Sequence, residues 1–96
     1  NVINSGGIKI YPEVIENKLQ NQIKNRFFIA SLPDDVLGQK AVLIVEGEAQ
    51  KLNLEFRQID PLKRPKAIYF TPNFFETSSG KIQRQKTFAS LDLNQP

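Results

Sequence analysis

The segment Thr77-Ser78-Ser79-Gly80-Lys81 combines residue types that suit the binding of anionic oxygens. Small residues expose backbone N–H groups, and a helix that begins after Gly80 would add the partial positive charge of its N-terminus. Lysine supplies a point charge on a flexible stem. The spacing does not fit a Walker phosphate loop, which requires a glycine five positions before Gly80 and a hydroxyl residue directly after Lys81. On these residues alone, a solvated loop that caps a helix is the favoured interpretation.

A second segment, Ser5-Gly6-Gly7-Ile8-Lys9, places two consecutive glycines between short apolar runs. Glycine adopts positive φ at no steric cost, and another molecule can approach its backbone closely because it has no Cβ. Paired glycines between strand-like runs are typical of the tight turn of a β-hairpin. Taken alone, these residues predict a hairpin turn and require no ligand.

Basic and aromatic residues recur in the second half of the chain, and this combination could bind nucleic acid by phosphate neutralisation and base stacking. The residues concerned are Lys63, Arg64, Lys66, Lys81, Arg84 and Lys86, with Phe70, Phe74 and Phe75. No RNA-binding sheet signature or helix-turn-helix pattern accompanies them, and the net charge is only +3. A solvated basic face is the favoured interpretation, and no nucleic-acid partner is predicted.

Composition narrows the available chemistry further. The 96 residues include no cysteine and no histidine, which excludes disulfides, thiolate chemistry and the commonest metal ligand. The adjacent Asp34 and Asp35 are better explained by a turn than by a metal site, since no third oxygen ligand follows at metal-loop spacing. Any chemistry must therefore use Lys, Arg, carboxylates, hydroxyls or backbone amides, and no metal ligand is predicted.

The apolar content of 40% and charged content of 24% are typical of one ordinary soluble globular domain. No apolar run is long enough to cross a bilayer, and no signal-peptide pattern begins the chain, so a cytoplasmic location without a membrane span is expected. The sequence contains no methionine and starts directly with a strand-like run, which favours a piece cut from a longer chain.

The order of predicted elements indicates an α+β fold, in which a small, separate N-terminal β-hairpin accompanies a three-stranded sheet packed with helices. Strands are predicted over 2–3, 8–10, 26–32, 40–46 and 67–70, and the two longest are apolar on both faces. A helix is predicted from Pro12, with the core stripe Ile15, Leu19 and Ile23, and two more are predicted over 49–57 and 81–90. The tail over 92–96 is predicted to fray.

Three regions, taken in order, resemble the motifs of one family. They are 2–16 (VINSGGIKIYPEVIE), 32–39 (LPDDVLGQ), and the pair 64–66 (RPK) and 77–84 (TSSGKIQR). Together they are similar to the C-terminal domain of the adenylate-forming superfamily, which comprises acyl- and aryl-CoA synthetases, peptide-synthetase adenylation domains and luciferase. The resemblance covers nearly the whole chain. It implies that residues 1–96 form a single mobile C-terminal domain, with the N-terminal domain that binds ATP and the acyl group outside this sequence.

The resemblance implies a two-step reaction. A carboxylic acid and ATP give an acyl-adenylate and pyrophosphate, and coenzyme A then displaces AMP. Lys81 would be catalytic in the first step, with Ser79 and Gly80 beside it in a nucleotide-binding loop. In the second step the domain would turn, so that Gly6 and Gly7 line the channel for the pantetheine arm. A Mg ion would be bound through the N-terminal domain, which is also the expected partner of this chain.

The resemblance leaves the acid and the thiol open. The version of the first motif over 5–12 is similar to o-succinylbenzoate–CoA ligases of menaquinone synthesis, so that acid is the preferred small-molecule substrate. An adenylation subdomain that loads a carrier protein is one alternative, and a non-enzymatic phosphate- or nucleic-acid-binding module is another. Residues 47–65 depart from the family pattern and carry no residue-level inference. The isolated domain is expected to fold but to be inactive.

Overall fold

The structure, a computed structural model, describes residues 1–93, so the last three residues of the predicted frayed tail lie outside it. Five strands and two helices form the α+β fold that the sequence predicts. In chain order they are β1 Ile3–Ser5, β2 Ile8–Ile10, α1 Pro12–Leu19, β3 Phe27–Asp34, β4 Gly38–Glu46, β5 Ile68–Thr71 and α2 Arg84–Ala89, with a short 3-10 turn at Pro61–Lys63 before β5. No helix within residues 1–93 is long and apolar enough to cross a membrane.

Strand β4 is the centre of the sheet. Along its whole length it pairs antiparallel with β3, from Phe27 opposite Val45 to Asp34 opposite Gly38. The second half of β4 also pairs parallel with β5, which completes the predicted three-stranded sheet. The N-terminal hairpin of β1 and β2 is present as predicted, but it is not separate from this sheet, because Ser5 pairs with Gly38 at the start of β4.

The core has two layers, one on each face of β4. Ala41, Leu43 and Val45 point to the face covered by α1 and the hairpin. Val42 and Ile44 point to the opposite face, where Phe28, Tyr69 and Phe74 are buried and α2 contributes Phe88. Both faces of the strand are therefore covered, which explains why it reads as a continuous apolar run rather than as an alternating one.

The helix predicted over 49–57 is wrong, because this segment has no helical residue. Leu52, Leu54 and Phe56 are half-buried against the α1-side core, while the residues between them are exposed. This period of two is that of an extended chain, not of a helix. Gln22 fixes the segment through two hydrogen bonds to the backbone of Glu55, one donated at 3.0 Å and one accepted at 2.7 Å.

Two predicted boundaries also shift. Helix α1 ends at Leu19, so the buried Ile23 reaches the core from the turn that follows the helix rather than from its surface. Strand β3 continues through Pro33 to Asp34, beyond the predicted end. Since β3 is an edge strand, Pro33 can lie on its free side without removing a hydrogen bond from the ladder.

Candidate functional site

Lys81 lies in a tight loop, and the helix predicted to begin there starts only at Arg84. The two legs of the loop pair through an isolated antiparallel bridge between Glu76 and Ile82. Inside it, the N–H of Thr77 donates to the carbonyl of Lys81 at 2.8 Å, and the N–H of Gly80 donates to the carbonyl of Thr77 at 2.9 Å. We call residues 76–82 the Lys81 loop. Its hydrogen bonds, rather than a helix N-terminus, determine its shape.

The hydroxyl groups of the Lys81 loop bond within the loop. Thr77 Oγ1 accepts the backbone N–H of Lys81 at 3.1 Å and lies 3.0 Å from Ser79 Oγ. Gly80 has a φ of +87°, a conformation that other residues adopt only under strain, so the turn itself requires glycine there. Ser79 and Gly80 therefore shape the turn that carries Lys81.

The ammonium group of Lys81 is available for an external anion. Its side chain is exposed, and among residues 1–93 it has neither an ion pair nor a hydrogen bond. Three neighbouring cations are engaged by contrast: Arg26 binds two carboxylates, Arg84 binds Glu16, and Lys86 lies 4.9 Å from the centre of the Phe75 ring.

The loop is attached to the body of the domain at both of its legs. Phe75, just before the loop, donates its N–H to Thr87 Oγ1 at 2.9 Å, and its carbonyl accepts the N–H of Gln83 at 2.8 Å. Ile82 packs on the α2-side core. Thr87 is completely buried, and this bond to Phe75 gives its hydroxyl a partner.

A carboxylate–guanidinium–carboxylate cluster lies at the base of the loop. Arg26 binds Glu46 through two nitrogens, at 2.9 and 2.6 Å, and donates a further hydrogen bond to Glu76. These carboxylates raise the pKa of Arg26 above its usual range. In turn, Arg26 and the N–H of Phe74, which donates to Glu46 at 2.8 Å, lower the pKa of the Glu46 carboxyl. Arg26 and Glu46 therefore remain charged at neutral pH.

Gly6 and Gly7 form the turn of the N-terminal hairpin, with φ values of +60° and +86°. Gly6 donates its N–H to the carbonyl of Leu37 at 2.7 Å, which joins this turn to the β3–β4 turn. Asp34 shapes the second turn by accepting the N–H groups of Leu37 and Val36, bonds that hold the pKa of its carboxyl below the usual value. At Gly7 a Cβ would meet no atom within 4 Å, so the backbone there faces open space.

The structure does not bring the two glycines and Lys81 together. Ser5, directly before the glycine turn, pairs with Gly38 at the start of β4. The Lys81 loop instead lies near the last residue of β4, Glu46, to which it is linked through Arg26. The strand rises by about 3.3 Å per residue, so Gly38 and Glu46 are roughly 26 Å apart along it. The chain thus carries two separate candidate sites, at opposite ends of β4.

The basic residues considered for nucleic-acid binding do not form one exposed set. Arg84 is bound by Glu16 through two nitrogens, at 2.9 and 3.1 Å, and Arg64 donates to the carbonyl of Ile59 at 2.9 Å.

Asp34 lies in the β3–β4 turn and stabilises it by accepting the N–H of Leu37, in line with the turn predicted at this position. Within the described part of the chain, no group of three or more acidic, histidine or cysteine residues could hold a metal ion.

The sequence patterns did not reveal Arg26, which binds the Lys81 loop, or Glu46 and Thr87, which bind the two residues just before it. The partners of Arg26 lie 20 and 50 residues away in the chain. No local motif marks such contacts, because they arise from the pairing of β3 with β4 and from the return of the chain after β5. The local signal is a single Arg at the first residue of the otherwise apolar strand predicted over 26–32.

Comparisons with known proteins identify relatives of one kind. The chain is 34% identical over 90 residues to the 2-succinylbenzoate–CoA ligase of Lactococcus lactis, and 31% identical over 104 residues to the oxalate–CoA ligase of Saccharomyces cerevisiae. These matches cover 88% and 97% of this chain but only 20% and 19% of the relatives. The chain therefore spans about a fifth of their length. No protein-family model matches it.

A solved structure agrees with these relatives. The crystal structure of an acyl-CoA synthetase (AMP-forming)/AMP-acid ligase II-like protein from Dyadobacter fermentans superposes with a TM-score of 0.86 at 37% identity, over 96% of this chain and 29% of that one. The fold, the order of the motifs and the relatives all indicate the same superfamily. In sequence and in fold, the chain matches the C-terminal domain of the AMP-forming acyl-CoA synthetases.

Proposed function

We propose that this chain is the mobile C-terminal domain of an acid–CoA ligase, which activates a carboxylic acid with ATP and transfers the acyl group to coenzyme A. The observation that carries the proposal is the Lys81 ammonium, which is exposed and unpaired within residues 1–93 on a loop that is itself anchored at both legs. The short share of each relative that the chain covers supports a further domain that holds ATP and the acid.

Lys81 acts in the first step of this proposal. Its ammonium bridges the attacking carboxylate oxygen and the α-phosphate of ATP, two anions that otherwise repel each other. The acid is already ionised at neutral pH and needs no general base, so a positively charged group suits the step better than a base. Gly80 and the Thr77–Ser79 hydroxyl pair keep the turn in the shape that presents this cation.

Gly6 and Gly7 act in the second step. The open space at Gly7 gives the pantetheine arm of coenzyme A a path along the backbone, since no Cβ intrudes. The two sites lie at opposite ends of β4, so the domain must turn relative to its partner to offer first one and then the other.

Mg, where the reaction uses it, is assigned to the partner domain, because the carboxylates near Lys81 are already bound by Arg26.

The acid is proposed from the relatives. The match to a 2-succinylbenzoate–CoA ligase makes that acid the first to test, which would place the enzyme in menaquinone synthesis. The match to an oxalate–CoA ligase names a much smaller acid at similar identity. The acid pocket is therefore assigned to the partner domain. Adenylation assays with both acids, and with a set of fatty and aryl acids, decide which acid the enzyme uses. A cytoplasmic location remains a prediction.

The experiment separates the two half-reactions in the full-length protein that contains this chain. Lys81→Ala should reduce acyl-adenylate formation, measured by pyrophosphate release, by about a hundredfold or more. It should leave thioester formation from pre-made acyl-adenylate within about twofold. An equal loss of both half-reactions would remove the proposed role of Lys81.

Gly7→Leu should show the opposite bias, because its side chain enters the proposed thiol path. Gly7→Ala is the matched control, since both variants share the strain of a non-glycine residue at a φ of +86° and differ in bulk. The 96-residue chain alone should form no acyl-adenylate from ATP and any acid of the panel. Adenylation by the isolated chain would show that the domain assignment is wrong.

A further inference from the structure

We propose that Arg26 is a positioning residue for Lys81, which ties the base of the Lys81 loop to the ends of β3 and β4. This inference rests on the proposed function, in which Lys81 must meet the α-phosphate of ATP. Arg26 directly precedes the first residue of β3, and Glu46 is the last residue of β4, so both belong to the most regular part of the domain. The guanidinium thus connects the Lys81 loop to the ends of two paired strands.

All three guanidinium nitrogens of Arg26 are used. Nε and Nη2 bind the two oxygens of Glu46, and Nη1 binds Glu76, the first residue of the Lys81 loop. The guanidinium also lies 5.6 Å from the centre of the Phe74 ring. This geometry depends on the planar fork of arginine, because a lysine ammonium could not bind both carboxylates from fixed directions at once.

Glu46 strengthens the same attachment from a second side. The oxygen of Glu46 that binds Nη2 also accepts the N–H of Phe74 at 2.8 Å. Phe75 is fixed by Thr87, and Glu76 by Arg26. Residues 74–76 at the base of the loop are therefore each bound by a different side chain. Two of these side chains, Glu46 and Arg26, are charged and are bound to each other.

The orientation of the loop follows from these contacts. Glu76 and Ile82 lie opposite each other in the bridge, so their side chains share a face, and adjacent residues point to the other face. Glu76 reaches Arg26 and Ile82 reaches the core on that inner face, whereas Lys81 is exposed. Glu76 and Ile82 thus face the body of the domain, while Lys81 faces the solvent.

The hydrogen bonds inside the loop preserve its shape but not its place on the domain. If the attachment at Glu76 is lost, the loop can tilt as a unit about Phe75 and Gln83. A displacement of about 1 Å at a reacting group can cost up to about a hundredfold in rate. Arg26 should therefore affect adenylation strongly, and the thioester step, which uses the opposite end of β4, hardly at all.

The test compares half-reaction rates in the full-length protein for Arg26→Gln, Glu76→Gln and the double variant. Each single change should slow adenylation by about tenfold at saturating ATP and acid, with thioester formation from pre-made acyl-adenylate within about twofold. The double variant should be no slower than Arg26→Gln, because both changes break the same contact. Arg26→Lys should be intermediate. Arg57→Gln is the matched control, since Arg57 forms an exposed pair with Glu55 far from the loop in sequence.

Three outcomes would overturn the inference: adenylation within about twofold of wild type in both single variants, equal loss of both half-reactions, or additive losses in the double variant. Glu76→Gln keeps the Arg26–Glu46 pair, so it carries the test if Arg26→Gln does not fold. Lys81→Ala in the same assays distinguishes the two proposals. If Lys81→Ala is harmless, the proposed function fails, whereas a loss confined to Lys81→Ala rejects only the role of Arg26.

Discussion

Gly6 and Leu37 join the two turns at one end of the sheet. The N–H of Gly6 donates to the carbonyl of Leu37 at 2.7 Å, and a Cβ added to Gly6 would lie 3.0 Å from Cδ2 of the same leucine. Gly6 is thus hydrogen-bonded to Leu37, and the same leucine leaves too little room for a side chain at Gly6. It fixes the glycine turn that we assign to the thiol step.

Substitution of Gly6 by alanine should therefore destabilise the domain in two ways. The φ of +60° strains any other residue by about 1–2 kcal/mol, and the new methyl group crowds Leu37. Leu37→Ala should relieve part of the cost of Gly6→Ala but none of the cost of Gly7→Ala, which meets no neighbour. Urea denaturation of the single and double variants measures this coupling. Equal coupling at both glycines would contradict the expected clash between the added methyl group and Leu37.

Glu46 should make the stability of the domain depend on pH. Its carboxyl pKa is lowered in the folded state by Arg26 and the Phe74 N–H, so its contribution is complete above the unfolded pKa of about 4.3 and is lost as the pH falls through the folded value. Glu46→Gln should cost about 1–2 kcal/mol at pH 6, and the difference from wild type should shrink towards pH 3. Asp34, whose pKa is also lowered, is present in both proteins and cancels. A difference that is constant from pH 6 to pH 3 would refute this assignment.

Thr87 should be more sensitive to the loss of its hydroxyl than to the loss of its methyl group. It is completely buried, and Thr87→Val keeps the shape while leaving the N–H of Phe75 without its acceptor. We expect Thr87→Val to lower the free energy of unfolding by about 1–3 kcal/mol. Thr87→Ser, which keeps the acceptor, is the control and should cost less. Chemical denaturation compares them, and the reverse order would mean that the hydrogen bond contributes little.

Lys81 should be dispensable for stability. It is exposed and has no side-chain partner within residues 1–93, so Lys81→Ala should change the free energy of unfolding by less than about 0.5 kcal/mol. The thermal midpoint of the 96-residue chain checks this directly. A clear destabilisation would point to a structural role and would weaken the reading of any activity loss in that variant.

The apolar patterning of the chain predicts the strands of the sheet correctly, but it fails in the connection between β4 and β5. Strands β3 and β4 are apolar on both alternations, and Pro12 marks the start of α1, so these elements were predicted and are confirmed. Over 49–57 the spacing of Leu52 and Phe56 fits a helix, yet Leu54 between them fits an extended chain equally. Packing against the α1-side core and the hydrogen bonds with Gln22 select the extended chain, and neither can be deduced from the segment itself.

In the candidate site, too, the features set by local residues could be predicted, and those set by distant contacts could not. Lys81 and the glycine pair stand out because their residue types and positive φ requirements are local properties. The helix expected at Lys81 does not begin there, because the Glu76–Ile82 bridge and the Phe75–Gln83 hydrogen bond occupy the backbone first. The Arg26 cluster depends on the register of β3 against β4 and on a contact 50 residues away in the chain, so no local pattern could reveal it.

The separation of the two sites along β4 also affects how the domain can vary. Sites more than about 10 Å apart without shared partners usually contribute additively to folding free energy. Within residues 1–93 the glycine turn and the Lys81 loop share no hydrogen bond or ion pair, and the ends of β4 that they adjoin are roughly 26 Å apart by strand rise. Changes at one end should therefore leave the other unaltered, so that the ends we propose for adenylation and for thiol transfer can be modified independently by selection or by an engineer.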